Sequence, residues 1–233
     1  MAIVLAFPVA ADGTHADLCL ELADGVASEA EWAPIREQVV AAVESRPALF
    51  PEPVDAQDPL RRVDVWSGHE GLALGAGASC LEPGFDWTAR FGRDFLEAAA
   101  DQMLADAPTT PGIESSVSLE WYPDETRLRT TLVFAGPFDF PNGTCWIDDA
   151  LSVDATTGAV VASGEQGVKT SPFAEGACRR FFDHLPDGGA AEQVVTLLPA
   201  AIELGDGGVL RFVAGDVMVH DDAIIVSGSL GRD

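Results

Sequence analysis

Histidine stands beside carboxylates at two places in the chain, His69-Glu70 and His220-Asp221-Asp222. An imidazole held between acids at a strand end has the ingredients of a general base with a raised pKa. Neither place supplies a nucleophile. His69-Glu70 sits in the glycine-flanked turn Ser67–Gly71 and does not extend to H-E-x-x-H. Two aspartates after His220 are the residues a hairpin turn favours. Asp148-Asp149 falls in a run of strand character, where neighbouring side chains project to opposite faces, so one acid is set inward and the other outward. The acidic turns Asp154–Gly158 and Gly205–Gly208 lack the alternating oxygen ligands and closing Glu of a calcium loop. No G-x-S-x-G occurs, Ser79-Cys80 has no nearby His, and Gly75 and Gly77 lack the lysine of a phosphate cradle. The sequence therefore names no catalytic residue, no metal ligand and no cofactor. The enzyme alternative is a hydrolase or metal-dependent enzyme whose carboxylates the fold gathers around His184 or His220.

Cys19, Cys80, Cys145 and Cys178 are spaced by 61, 65 and 33 positions, which excludes a C-x-x-C redox motif and a paired-knuckle zinc site. Two disulfides fit an even count at such spacing, and three connectivities are open. Phe134, Phe138, Phe140 and Trp146 lie within thirteen residues and are interrupted by Gly136, Pro137, Pro141 and Gly143. Aromatic residues on such a loop either join the core or form a contact patch for a ligand or partner.

With 38 acids against 13 bases the formal charge is −25, and the acid is spread along the whole chain. Nucleic acid and anionic membranes need clustered positive charge, and the paired bases are confined to Arg61-Arg62 and Arg179-Arg180. No apolar stretch reaches the length of a spanning helix. Abundant Ala, Gly and Asp, with twelve Arg to one Lys, read as GC-rich bacterial coding. Residues 1–11 have the form of a secretion-signal remnant whose basic front is missing, or else of a buried first strand. Together with the cysteines this sets the expectation of a periplasmic or secreted protein, with a cytoplasmic one as the alternative if the start is complete.

Several elements must position these groups. Ser28-Glu29-Ala30-Glu31 is a capping box opening a helix to about Ser45, with Pro34 arguing for a start nearer Ala33. A proline-rich loop at 46–59 is a sub-boundary within an otherwise single domain, 12–233. Val63 and Val65 pair with Leu72, Leu74 and Ala76 as a hairpin, and Phe91, Phe95, Ala99 and Met103 recur at helical spacing. Val117 to Phe134 alternates as a second hairpin about Tyr122–Glu125, with Ser116, Ser118 and Glu120 opposite Arg127, Arg129 and Thr131 on its polar face. Cys145 to Val161 adds two strands. Helices follow near Phe173–Leu185 and Val194–Leu198, and a meander closes the chain. The pattern reads as α+β, antiparallel meanders packed by three or four amphipathic helices. The expected function is a non-enzymatic extracytoplasmic binding or structural domain for an apolar ligand or protein partner.

Overall fold

The computed structural model describes residues 2–8, 15–44, 63–66, 80–106, 114–136, 142–170, 175–184, 189–195, 200–204 and 207–233. The strands are β1 (Ala2–Pro8), β2 (His15–Leu22), β3 (Val63–Trp66), β4 (Trp87–Gly92), β5 (Glu114–Tyr122), β6 (Arg127–Ala135), β7 (Asn142–Val153), β8 (Val160–Thr170), β9 (Ala201–Glu203), β10 (Val209–Val219) and β11 (Ala223–Arg232). The helices are α1 (Glu29–Glu44), α2 (Arg93–Asp106), α3 (Glu175–His184) and α4 (Ala190–Val195). One sheet has seven strands in the order β3-β1-β2-β4-β11-β10-β9, and the other is a four-stranded meander, β5-β6-β7-β8. Every pairing is antiparallel.

In the large sheet, register sorts side chains cleanly. Leu20 pairs with Ala89 and Ala89 with Val226, while Leu18 pairs with Phe91 and Phe91 with Ile224. Leu20, Ala89, Phe91, Ile224 and Val226 share one face and join a core that also takes Leu119, Leu128 and Leu151 from the small sheet. Trp87 meets Phe212 edge-to-face at 5.4 Å within it. The alternate positions form a polar row, Glu21 opposite Thr88 and Thr88 opposite Ser227, and all three are buried.

The small sheet is tied to the large one at a turn. Gly158 adopts φ +65°, and its carbonyl accepts a hydrogen bond from the Ala214 N–H at the β10 bulge. A Cβ at position 158 would collide with Val213, so glycine serves both the left-handed backbone and the close approach. Cys145 and Cys178 form a disulfide that joins β7 to α3, and they pack with Leu132 and Phe134 in a second apolar cluster.

The expected fold class is corrected: the protein is mostly β, built from two sheets, and it is not a set of meanders packed by three or four amphipathic helices. Strands β1, β2 and β4 account for the difference. β4 is buried along nearly its whole length on both faces, which erases the alternation that marks a half-buried strand. Phe91, spaced as if it began a helix, is a central strand residue, and α2 starts two residues later. Val63–Trp66 pairs with β1, while Leu72, Leu74 and Ala76 lie outside the described residues, as does the loop 46–59. Residues 2–8, read as a signal remnant or a first strand, are placed as a strand between β2 and β3. The capping box forms as written: the Ser28 N–H donates to Glu31 at 2.7 Å and the Glu31 N–H donates to Ser28 Oγ at 3.4 Å. The helix begins there and runs through Pro34.

Candidate functional site

Strand parity places Glu120 and Tyr122 of β5, Arg127, Arg129 and Thr131 of β6, Trp146 and Asp148 of β7, and Glu165, Gly167 and Lys169 of β8 on the face of the small sheet turned away from the core. Register aligns them in rows. Glu120 faces Arg129, Arg129 faces Asp148, and Asp148 faces Glu165; in the next row Ser118, Thr131, Trp146 and Gly167 stand abreast.

Asp148 is the hub. Arg129 donates to both of its carboxylate oxygens, at 2.7 and 2.8 Å, and Arg127 donates to Oδ1 at 2.8 Å. Arg127 also pairs with Glu125 at 2.7 Å. Glu120 accepts from Tyr122 Oη at 2.7 Å and from Thr131 Oγ1 at 3.1 Å. Rings flank the guanidiniums: Arg127 Cζ lies 4.0 Å from the Tyr122 ring centroid, and Arg129 Cζ lies 5.2 Å from that of Trp146. The Trp146 indole in turn lies over Gly167, filling the space a side chain there would need. A planar guanidinium with two carboxylate bonds and a ring above it loses most of its rotational freedom.

Charge follows from these contacts. Hydrogen bonds from Arg129 hold the Asp148 carboxyl below its usual range despite its burial. The Arg129 guanidinium is correspondingly raised, chiefly by its bonds to Asp148. Burial works against the Arg127 charge, but Asp148 and Glu125 more than offset it. The Tyr122 phenol is raised, first by its hydrogen bond to Glu120.

Among the described residues the remaining sequence candidates are dispersed. His220 is exposed in the β10–β11 turn, its N–H bonded to the Ala223 carbonyl, and the neighbouring Asp222 pairs with Arg90 at 2.9 Å. Asp154 accepts from the Thr156 and Thr157 N–H groups, which holds its carboxyl low and closes the turn. His69, Phe138 and Phe140 lie outside the described residues, as does the side chain of His184. Phe134 is buried in the α3 cluster on the inner face, opposite in sense to Trp146, so these two members of the aromatic cluster lie on opposite faces. Asp149, the inward partner of Asp148, is fully buried and accepts from the Gly189 N–H at 3.1 Å, beside Thr130, which accepts from the Ala190 N–H at 3.1 Å. These two side chains hold the start of α4.

Cys19 and Cys80 are joined as a disulfide, and with a Glu21 oxygen their sulfurs lie within 4.8 Å of one another. Glu21 accepts from the N–H groups of Cys80 and Leu81 at 2.8 and 3.1 Å, and Thr88 Oγ1 accepts from the Glu82 N–H at 2.9 Å. With both sulfurs consumed and the carboxylate bonded to backbone, this cluster is a clamp on residues 80–82. Sequence reasoning found half of the outer face, the Glu120 and Arg127–Arg129 pairing, and missed that Trp146 and Asp148 complete it. The parity of β7 with Asp148 was the available signal. No protein-family model matches the chain, and no curated protein or solved structure matches it.

Proposed function

We propose that this chain is a non-enzymatic, protein-binding β module of an oxidising, extracytoplasmic compartment, and that its recognition surface is the outer face of the small sheet. The observation that carries this reading is that Arg127, Arg129, Trp146 and Tyr122 are fixed by one another while remaining partly open, with side-chain exposures of 19% and 27% for the two arginines. Tyr, Trp and Arg are the residues that anchor protein interfaces, and anchors already held in place lose little entropy on binding. Charged groups interleaved with rings suit a protein surface better than an apolar ligand. The rim supplies Glu120, Glu125 and Glu165 on a chain of net charge −25, so the partner presents a basic surface. Two disulfides support the compartment, and no helix among the described residues is long and apolar enough to cross a membrane.

Photo-crosslinking in the producing cell tests this. A benzophenone side chain at Ser118 should capture a basic protein that the same group at Glu203, on the large sheet, does not. Trp146→Ala should reduce that capture by about tenfold, the scale of a lost anchor. Equal capture from both positions, or capture indifferent to Trp146→Ala, would overturn the reading.

A further inference from the structure

Among the described residues the two sheets have four edges, of which two are short and a third runs beside a helix. β3 has four residues, β9 has three, and β5 packs against α2. The fourth, β8, presents eleven residues with one side unpaired among the described residues, and its described side chains are exposed or half-buried throughout. A long open strand of this kind is a template for another strand. We propose that β8 is a homodimer interface, in which two copies pair antiparallel about a two-fold axis at Gly167 and join their small sheets into one of eight strands.

Charge selects that register. A two-fold axis normal to the sheet sets each residue opposite the one equally far beyond the centre. With the centre at Gly167, Glu165 falls opposite Lys169 of the partner subunit, and the pair occurs twice. A centre at Glu165 would pair all eleven residues but set Glu165 against itself. Centres at Gly164, Gln166 or Val168 leave both charges unmatched. Lys169 is the single lysine in the chain, and it stands where this register needs a cation. Opposite charges directly across an antiparallel pair stabilise it, and like charges oppose it.

The Trp146 indole over Gly167 supports the same centre. Two glycines facing each other at the axis have no side chains of their own to pack. Paired backbones stand about 4.5–5.5 Å apart, so the two indoles meet across the axis on the outer face. Trp146, half-buried in the single chain, is then covered on its open side. The arrangement is isologous, as two-fold interfaces are, and because it covers Trp146 and engages Glu165 it competes with the basic partner proposed above for that part of the face.

Sedimentation velocity of the full chain over a range of concentrations tests the pairing. The unaltered protein should dimerise. Lys169→Glu and Glu165→Lys should each weaken the dimer by about tenfold or more, since each turns two attractive pairs into two repulsive ones. The double variant, with the charges exchanged, should restore it. Both positions are exposed, so unchanged circular dichroism and unfolding curves will show that folding is intact. A chain that stays monomeric at every concentration would overturn the proposal. So would a dimer indifferent to the single substitutions, or one that the double variant fails to restore. Capture of a basic protein from Ser118 by a monomeric chain would separate this failure from failure of the partner reading.

Discussion

The row Glu21, Thr88 and Ser227 in the large sheet and the row Glu120, Arg129, Asp148 and Glu165 in the small sheet both set polar side chains opposite one another across adjacent strands. Their partners differ in kind. Thr88 and Ser227 bond to each other at 3.0 Å, and Glu21 and Thr88 also accept from backbone N–H groups of residues 80–82, a segment from outside the sheet. Here residues 80–82 cover the polar side chains and take up part of their hydrogen bonding. In the small sheet each guanidinium finds its carboxylate within the sheet, so the face needs no cover to meet its hydrogen bonds. A polar row thus reports whether its face is closed or open according to whether its bonds leave the sheet.

The contrast can be broken from the closed side first. Cys19→Ser with Cys80→Ser releases the cover and a closure spanning 61 positions, and should cost about 4 kcal/mol on the chain-entropy account, read as a fall in the denaturant midpoint. Glu21→Ala leaves two N–H groups without their carboxylate and should cost about 3 kcal/mol, whereas Glu21→Gln, which keeps an acceptor, should recover most of that. Equal losses for the two substitutions would mean that charge, not backbone capping, is the role of Glu21.

On the open side, Asp148→Ala should cost about 2 kcal/mol, less than a fully buried pair because both arginines reach water. The pH dependence has a definite sign. The Asp148 carboxyl is held lower in the folded chain than in the unfolded one, so its contribution is complete above about pH 4 and is lost as pH falls through the folded value. Asp148→Asn should flatten that acid limb. The smallest effect belongs to Tyr122→Phe. Loss of one hydrogen bond at a partly exposed site should cost under about 0.5 kcal/mol in stability while weakening partner capture. The raised Tyr122 phenol contributes below about pH 10 and ceases to as pH rises through its folded value, so the variant should also lose this alkaline dependence.

Local chemistry carried the parts that were legible. Ser28 and Glu31 needed only each other to fix the start of α1, and the β5–β6 hairpin needed only alternation and its Pro123–Glu125 turn. The even cysteine count pointed to two bridges, while Cys19–Cys80 and Cys145–Cys178 emerge only when β2 and α3 are placed. The central strands were hidden because burial on both faces removes period two: β4 carries Trp87, Ala89 and Phe91 toward the core and the buried Thr88 beneath the clamp. Trp146 was grouped with Phe134 by nearness along the chain, yet the β6–β7 register turns the two to opposite faces, and only that register brings Trp146 and Asp148 to Arg129.

The position of Lys169 bears on how the protein can be handled. Apart from the chain's amino terminus, it is the primary amine available to acylating reagents, and it lies on an exposed edge strand. Dyes, tethers and sensor matrices coupled through lysine will therefore attach at one defined place, along β8, and an immobilised sample will have that edge turned toward its support.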